Sequence, residues 1–542
     1  MDKKILVTCA LPYANGPIHL GHMYEHIQAD IWVRYQKLIG NIVYFICADD
    51  AHGTPIILHS KKLGLSIDNM IHQIYLEHTN DLHKFNINYD NYYSTHSIEN
   101  KELLISVYTK LKQKKLIYSD IIAQLYDVKY NLFLPDRFII GTCPKCFSSK
   151  QYGDFCEICS TTYNALELIN PKSVLSNTTP EIRMSKHLFF NLPIFNNILY
   201  EWINSGVLDY CIINKVKEWF HVGLKPWNIS RDAPYFGFLI PKEVNKYFYV
   251  WLDASIAYIS TFKNFCQKNR NVNFYEFWCE HSNTYLYHFI GKDIVYFHSL
   301  FWPAILHSIN FRKPSKLFVH GHVNINGEKL SKSKNNFITA NSYLSVLDAD
   351  YLRYYYASKL TLGINDINFN LEEFVQKINN DIINKIINLA ARSAKFIIDK
   401  FSGYLSKKIF DQTLNNIFIN SSNDIQIAFE QLNISLVIRK VVYLADLANI
   451  FIHNKKPWLL TKKDNYHDLQ GICSMGIHLF AIIMAYLKPI LPTLVEKTEL
   501  FLNTKLVWVD HVNYSKLITN RINSFTHLAK RIELTQAKLI MK

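Results

Sequence analysis

The sequence predicts an α/β domain built on a parallel sheet, interrupted by an insertion and followed by an α-helical bundle. Three observations support this order. Strand-like and helix-like segments alternate in the first hundred residues, a less regular stretch with paired cysteines follows, and residues beyond about 344 show only helical apolar spacing. A chain of 542 residues also exceeds the size at which one hydrophobic core stops growing. We therefore expect several domains.

The first elements justify the parallel sheet. Lys4–Cys9 is a short apolar strand, His19–Leu38 an amphipathic helix, and Ile42–Cys47 a second apolar strand. A strand, a crossing helix and another strand form a parallel pair. The apolar run before Pro12 is too short for a secretory signal and leads to no cleavage site, so it belongs to the first strand.

The sheet is expected to be split in two. Residues 1–115 form its first half, residues 116–228 an insertion, and residues 229–325 its second half. Strand-like segments resume at Tyr247–Trp251, Tyr285–Ile290 and Lys316–His320. A basic loop and a connecting region are expected over 326–370.

Residues 371–542 should form the helical bundle. The segments Leu371–Phe401, Asp424–His453 and Leu469–Leu487 carry apolar residues at helical spacing, and strands disappear beyond about Leu344. The longest uncharged stretch, Cys473–Leu487, is shorter than the roughly 20 residues that a membrane span needs. We interpret it as a buried helix and expect no membrane partner.

Charge and cysteine content bound the functional classes. Lysine and arginine exceed aspartate and glutamate by 59 to 45, which favours a polyanionic partner such as nucleic acid. Biased base composition of the genome explains the same excess equally well. Six of the ten cysteines lie outside the paired motifs, which indicates a reduced compartment, the cytoplasm, and no disulfide framework.

Two Cys-x-x-Cys pairs predict a metal site in a knuckle over residues 140–160. The four thiolates are Cys143, Cys146, Cys156 and Cys159. Four sulfurs complete the usual tetrahedral shell of Zn²⁺ and leave no position for substrate, so the site should be structural. A redox dithiol is the alternative interpretation.

Two distant segments point to a nucleotide site. In the stretch from Pro12 to His22, His19 and His22 lie three apart at a helix start, with Gly21 between them. The two side chains share one helix face, and the helix N-terminus favours phosphate. Two polar residues at an ordinary helix start would look the same. Far downstream, Gly327–Asn336 is a strongly basic loop.

The pair of segments resembles the two ATP signatures of the class I aminoacyl-tRNA synthetases, whose catalytic domain is Rossmann-like. Further stretches over 45–55, 127–136, 227–232, 249–254 and 289–298 resemble the methionyl group of that family, and the resemblance covers essentially the whole chain. It implies formation of methionyl-adenylate from ATP, with Mg²⁺, and transfer of methionine to tRNA. Leu330 and Asn335–Asn336 depart from the family's usual methionine and glycine. The leucine conserves volume, whereas the missing glycine could slow loop closure.

The resemblance assigns roles in the nucleotide site. Adenylate formation needs cationic stabilisation of the leaving pyrophosphate and no nucleophilic side chain. Lys332 is expected to be that cation, with Lys329 beside it, while His19 and His22 bond the phosphates. The remaining assignments are Tyr13 and Gly21 to ATP, Gly291 and Asp293 to its ribose, and Arg231 to catalysis.

The same resemblance assigns a methionine pocket. Asp50 should bind the α-ammonium group, and aromatic walls with a Tyr or His edge should recognise the polarizable thioether. The wall residues are Ala10, Leu11, Tyr13, Trp251, Ala254, Tyr258, Phe297, His298 and Phe301. Ser255 and His322 stand where the family usually has proline and an aromatic residue, which could change affinity.

Residues of the predicted bundle match the family's anticodon readers. Asn388 and Arg392 lie four apart on one helix face, and Pro457–Trp458 follows two lysines. Trp458 can stack on an unstacked base while the other two bond base edges. The insertion is too short for a hydrolytic editing domain, and with no appended β-barrel after residue 542 we expect a monomer acting on initiator and elongator tRNA.

Two alternatives remain. One is another nucleotidyl-transferring protein with a His-x-Gly-His site, including a synthetase for leucine, isoleucine, valine or cysteine, against which size and zinc spacing argue. The other is a catalytically idle paralogue that binds tRNA, against which the two intact ATP signatures argue.

Overall fold

The residues before the insertion build one side of a parallel sheet. The computed structural model describes residues 2–153, 156, 158, 159, 161, 163–329, 337–361, 363–460, 465–510 and 521–541. The first elements are β1 (Lys4–Cys9), α1 (Leu20–Leu38), β2 (Ile42–Asp49), α2 (Thr54–Leu63), α3 (Ile67–Lys84), β3 (Asn91–Ser94) and α4 (Ile98–Gln113). The predicted first strand and first helix are confirmed, and β2 continues two residues past its predicted end.

The insertion is mostly antiparallel. Its elements are β4 (Ile117–Asp127), β5 (Leu132–Phe133), β6 (Ile139–Thr142), β7 (Gln151–Tyr152), β8 (Ile169–Ser173), β9 (Glu181–Phe190), α5 (Asn196–Trp202), α6 (Tyr210–Val222) and β10 (Trp227–Asn228). Long β4 and β9 pair along their whole length and form a four-stranded sheet with β5 and β10. Short β6, β7 and β8 make a separate three-stranded sheet that carries the cysteine pairs.

The residues after the insertion complete the parallel sheet. Its elements are β11 (Ser230–Asp232), β12 (Lys246–Phe248), α7 (Val250–Lys268), α8 (Phe274–Trp278), β13 (Tyr285–Gly291), α9 (Trp302–Ser308) and β14 (Lys316–His320). The prediction of a strand over Tyr247–Trp251 is wrong from Val250 onward, where α7 begins, and its first part pairs antiparallel with β11 outside the central sheet. A short aromatic and β-branched run fits either structure, and only its packing decides between them.

The central sheet has the order β14-β13-β1-β2-β3, and every pair is parallel. The chain moves outward from β1 to β3 on one side and from β13 to β14 on the other. In open parallel sheets, ligands bind outside the carboxyl ends of the strands at this point of reversal. The topology therefore places a binding crevice above β1, β2 and β13.

A connecting region follows the sheet. It contains β15 (Val323–Ile325), β16 (Glu328–Lys329), α10 (Ala340–Leu344), α11 (Ala349–Lys359) and β17 (Ile367–Phe369). The prediction that strands disappear beyond about Leu344 is wrong, because β17 pairs in parallel with β15. A three-residue strand is too short to leave a periodic signal.

The bundle closes the molecule. Its helices are α12 (Leu371–Lys377), α13 (Asn388–Phe401), α14 (Gln412–Glu430), α15 (Ile434–Lys455), α16 (Pro457–Leu460), α17 (Tyr466–Leu487), α18 (Pro492–Leu502) and α19 (Leu534–Ala537), and a π-helical stretch, Ile378–Ile387, joins the first two. The segment Asp424–His453, which carries helical spacing in the sequence, is shared by α14 and α15. The two helices are separated at Leu432, which adopts the left-handed conformation with φ 58°. Helix α17 is apolar enough to cross a membrane, but 94% of its apolar window is buried inside the protein, as predicted for a core helix.

Candidate active site

A cavity of about 1040 Å³ opens at the carboxyl edge of the central sheet. Residues from both halves of the sheet domain and from the insertion surround it. Of the side chains predicted to bind substrates, it is lined by Ala10, Leu11, Tyr13, His19, Gly21, His22, Asp50, Arg231, Trp251, Ala254, Tyr258, Gly291, Asp293, Phe297 and His298. Segments that lie far apart in the sequence therefore share one concave surface.

The two signature histidines begin helix α1. His19 is its N-cap and accepts a hydrogen bond at Nδ1 from the amide of Gly21 at 3.1 Å, while Nδ1 of His22 accepts from the amide of His19 at 3.4 Å. Their rings stack with centroids 3.8 Å apart. This reciprocal cap satisfies amides that a helix start would otherwise leave unpaired.

Burial and the cap hydrogen bond together fix the protonation of the His22 ring. Burial, together with the neighbouring imidazoles of His19 and His26, lowers the pKa of His22 well below its ordinary value, so His22 is neutral at pH 7. A neutral imidazole that accepts at Nδ1 carries its proton on Nε2. His22 therefore lines the cavity as a neutral hydrogen-bond donor, which suits a phosphate oxygen.

The two residues that follow the basic loop contact the start of α1. Phe337 packs edge-on against His19 with ring centroids 4.9 Å apart, and the amide of Leu20 donates to the carbonyl of Ile338 at 3.1 Å. Lys332 and the side chain of Lys329 lie outside the described residues.

Asp50 follows β2 and reaches the cavity beside Tyr13. Its Oδ1 atom is buried and has no hydrogen-bond partner among the residues that the structure describes. Burial and the carboxylates of Asp253 and Asp49 raise the pKa of Asp50 well above its ordinary value. An ammonium group would supply the missing partner and stabilise the charged carboxylate.

Aromatic side chains form the opposite wall. Trp251 and Phe297 lie with ring centroids 4.4 Å apart. The hydroxyl of Tyr258 bonds Nε2 of His298 at 2.9 Å, and the other ring nitrogen lies 3.1 Å from the carbonyl of Ile294. Because a carbonyl only accepts, His298 carries its proton on Nδ1 and Tyr258 donates to it. Burial lowers the pKa of His298 to about 4, so this arrangement is neutral at pH 7.

One predicted wall residue lies outside the cavity lining, and the serine expected at the wall lies within it. Phe301 does not line the cavity but packs behind Phe297 and against Trp227, with centroids 5.0 Å from each. Ser255 is buried at the cavity, and its hydroxyl donates to the carbonyl of Trp251 at 2.8 Å. The serine thus satisfies its polar group within helix α7.

The segment after β13 needs its glycine. A Cβ atom at Gly291 would approach Oδ1 of Asp293 to 2.6 Å, closer than carbon and oxygen tolerate.

Arg231 also lines the cavity. Its guanidinium lies 3.6 Å from the ring centroid of Tyr249 and donates to the carbonyl of Ser230 at 2.8 Å. Stacking therefore holds Arg231 in place.

Several lining residues were not predicted. Glu25 accepts hydrogen bonds from the amide of Ala10 at 2.6 Å and from His320 at 2.9 Å, and so joins β1 to the end of β14. Glu25 and His26 follow His22 by three and four residues on the same helix face, a spacing that could have identified them. The other unpredicted lining residues include Gln124, Phe133, Leu134, Pro135, Asp136, Phe138 and Tyr235.

The four predicted cysteines meet at one point. Their sulfur atoms all lie within 4.8 Å of one another, with Cys143 and Cys159 at 3.8 Å and Cys146 and Cys156 at 3.5 Å. A tetrahedral zinc shell with bonds of about 2.3 Å separates its sulfurs by roughly 3.8 Å. Backbone amides also donate to Cys143 and Cys156. This cluster could hold a metal ion.

The residues predicted to read the anticodon lie on the bundle. The guanidinium of Arg392 lies 5.3 Å from the ring centroid of Trp458, which is 37% exposed. Asn388 is exposed at the start of α13, one turn before Arg392, and Pro457 is buried at the start of α16. The structure thus brings Arg392 and Trp458 together.

Known proteins resemble the whole chain. A family model described as tRNA synthetases class I (M) matches residues 5–394. The methionine–tRNA ligase of Blochmanniella floridana is 55% identical over 543 residues, covering 100% of this chain and 99% of the relative. That of Wigglesworthia glossinidia brevipalpis is 55% identical over 542 residues, covering 100% and 98%.

Solved structures share the fold. The methionyl-tRNA synthetase of Mycobacterium tuberculosis in complex with methionyl-adenylate superposes with a TM-score of 0.80 at 21% identity, covering 97% of this chain and 99% of that one. Its apo form gives 0.73 at 19% identity, covering 98% and 99%. Family model, full-length relatives and fold agree, and the chain belongs to the methionyl group of the class I tRNA synthetases.

Proposed function

We propose that the chain is a methionine–tRNA ligase that forms methionyl-adenylate and pyrophosphate from L-methionine and ATP. It then transfers methionine to the 3′ end of tRNA and releases AMP. The observation that carries the proposal is that one cavity is lined by the neutral His22, by the buried carboxylate of Asp50 and by the aromatic wall around Tyr258. The Oδ1 atom of Asp50 meets no hydrogen-bond partner in the part of the chain that the structure describes. Each group is complementary to a different part of the two small substrates.

The first step is an in-line displacement. The carboxylate of methionine attacks the α-phosphorus of ATP, the bond to the bridging oxygen breaks, and pyrophosphate leaves with the electron pair. His19 and His22 donate to phosphate oxygens, while Lys329 and Lys332 stabilise the charge that builds on pyrophosphate, which Mg²⁺ accompanies. Positioning and charge stabilisation suffice, because no proton has to move.

Substrate positions follow from the lining. Asp50 pairs with the ammonium of methionine, whose thioether lies against Trp251, Phe297 and the Tyr258–His298 pair. Tyr13 and Gly21 face the nucleotide, Gly291 and Asp293 its ribose, and Arg231 the reacting phosphate. Phe301 supports this wall from behind.

The remaining parts serve tRNA. We propose that residues 1–115 and 229–325 form the catalytic domain, and that 116–228 approaches the acceptor end, braced by one structural Zn²⁺ on the four cysteines. Residues 326–370 close over ATP and contact the stem. The bundle over 371–542 reads the anticodon of initiator and elongator tRNA through Asn388, Arg392, Pro457 and Trp458. The enzyme acts as a cytoplasmic monomer.

One pair of assays tests the assignment. ATP–pyrophosphate exchange is measured with methionine, leucine, isoleucine, valine and cysteine in turn, followed by charging of tRNA. We expect exchange with methionine alone. Exchange with another of these amino acids in its place would reject the specificity, and exchange with none would favour a tRNA-binding paralogue.

Two variants test whether the catalytic site and the anticodon-binding site act separately. Lys332→Ala should abolish most exchange while tRNA binding persists, because the lysine acts on pyrophosphate. Trp458→Ala should leave exchange intact and weaken charging, because the ring acts on the anticodon. Equal losses in both assays for both variants would contradict this division.

A further inference from the structure

A buried histidine that does not line the cavity binds loop 12–22, which leads to helix α1. His78 lies on α3, and its side chain is only 1% exposed. Its Nδ1 atom is 2.7 Å from Oδ1 of Asp49, the last residue of β2, and its Nε2 atom is 2.8 Å from the carbonyl oxygen of Gly16. One imidazole thus bridges the end of a central strand and the loop that leads to His19.

The chemistry of these partners decides how many protons the pair carries. A carbonyl oxygen only accepts a hydrogen bond, so Nε2 of His78 must carry a proton. The contact between Nδ1 and Asp49 needs a second proton, and Asp49 already accepts from the hydroxyl of Tyr92. Between a carboxylate and an imidazole, the imidazole is the stronger base. The ring is therefore an imidazolium.

The surroundings agree with a positive ring. Burial alone would lower the pKa of His78, but the hydrogen bond and charge of Asp49 raise it above the ordinary value. The other titratable groups that interact with the ring are Glu77 and Asp81 on α3 and His22 and His26 on α1, while Tyr75 and Tyr92 interact with Asp49. Both of these α1 histidines are neutral, because burial lowers their pKa values.

Both ends of the bridge reach the site. Gly16 precedes His19 by three residues, so a hydrogen bond to its carbonyl holds the loop close to the signature histidines. Asp49 precedes Asp50, and its charge is one of the causes that raise the pKa of Asp50. The positive charge of the His78 ring, which is hydrogen-bonded to Asp49, offsets that effect.

We propose that His78 is a positioning residue for adenylate formation, whose doubly protonated ring fixes loop 12–22 on the end of β2 and neutralises Asp49 beside the ammonium-binding Asp50. The proposal rests on the proposed function for its consequence in catalysis. It concerns a residue that contacts neither substrate.

The protonation is tested on the intact wild-type chain. Histidine labelled with ¹⁵N at the ring should give, at neutral pH, a buried imidazole with two slowly exchanging N–H signals, assigned by their loss in His78→Gln. As pH rises through the raised pKa of His78, one of the two signals should disappear. A single N–H at neutral pH overturns the proposal whether or not the enzyme is active.

The catalytic consequence is tested by exchange. In His78→Gln we expect kcat to fall by about 10- to 100-fold, the size of effect that a small misplacement of reacting groups produces. KM for methionine should rise as well, because Asp49 is then uncompensated. The matched control is His72→Gln on the exposed face of α3, which should behave as wild type.

A double variant separates positioning from mere stability. Adding Asp49→Asn to His78→Gln removes the uncompensated charge, so KM for methionine should return toward the wild-type value. A folded His78→Gln with wild-type kcat and KM, or a double variant with no recovery in KM, overturns the proposal. Absence of exchange in the wild type would instead reject the proposed function, while the NMR result still decides the protonation of His78.

Discussion

At the scale of the residue, the polar side chains of the cavity are held in one hydrogen-bonding state by backbone atoms. His19 and His22 accept from amides of their own helix turn, and His298 donates to the carbonyl of Ile294. Such bonds fix which ring atom can donate before a substrate arrives. Preorganised donors stabilise developing charge without paying for reorganisation during the reaction.

Asp50 should make methionine binding depend on pH. Its raised pKa means that the empty site is protonated as pH falls through that value, and a neutral carboxyl pairs poorly with an ammonium. KM for methionine should therefore rise on the acidic side in the wild type. Asp50→Asn should raise KM by roughly 30-fold, about 2 kcal/mol, and remove this acidic dependence.

The measurement is KM for methionine as a function of pH in exchange assays. Asp68→Asn, whose side chain is 79% exposed, serves as the control and should follow the wild type. The same acidic rise in Asp50→Asn would show that another group titrates.

Tyr258→Phe should test the polar end of the aromatic wall. The change leaves Nε2 of the buried His298 without its donor at 2.9 Å, which costs about 1–3 kcal/mol. We expect a lower unfolding temperature in calorimetry and a higher KM for methionine. Tyr210→Phe, at a residue 79% exposed, should change neither; an unaltered midpoint in Tyr258→Phe would contradict the assigned bond.

At the scale of the element, the small sheet β6–β7–β8 depends on its cysteines. The apolar cluster beneath it contains few buried side chains, among them Leu125, Phe138 and Leu168. A core of this size supplies little stability, and small units of this kind are usually held by a metal or by disulfides. All four cysteines are free thiols, so a bound metal ion is the cross-link that can stabilise the small sheet.

Cys146→Ser should release the metal and loosen the insertion. Metal analysis should find one zinc per wild-type chain and a reduced content in the variant. Hydrogen exchange should rise over residues 139–173 and stay unchanged in α17. ATP–pyrophosphate exchange should become slower, because the cavity is lined by Phe133, Leu134, Pro135, Asp136 and Phe138.

Cys211→Ser, at an exposed cysteine outside the cluster, is the control. Full protection of the insertion after zinc loss would show that apolar packing alone holds it.

At the scale of the whole molecule, Arg353 on α11 joins the sheet domain to the bundle. Its fully buried guanidinium pairs with Asp30 at 2.6 Å and donates to the carbonyls of Phe85, Pro489 and Ile490. Asp30 lies on α1, the helix that begins with the signature histidines. One side chain therefore fixes the bundle relative to the nucleotide site.

Arg353→Met should destabilise the whole chain. It leaves buried acceptors unpaired and Asp30 bonded to Arg34 alone, a change that typically costs about 3–5 kcal/mol. Calorimetry should show a lower unfolding temperature, with tRNA charging reduced more than amino-acid exchange because the bundle is no longer fixed. The exposed Arg439→Met is the control. Unchanged stability of Arg353→Met would contradict the role.

Features that depend on local spacing could be predicted from the order of the amino acids. The bounds of β1 and β14, the helix that begins at the histidine pair, and the four clustered cysteines follow from periodicity and motif, which need no distant partner. The signature residues could be named for the same reason. Short segments such as β17, and the start of α7 at Val250, gave no reliable periodic signal.

The way in which distant segments combine became visible only in the folded chain. It placed Phe301 in a second layer, brought Glu25 to His320, and set His78 beneath Gly16. These pairs come from strands and helices far apart in the chain, and their contacts depend on sheet order and side-chain packing. No spacing along the sequence encodes a distance between elements that meet only after folding.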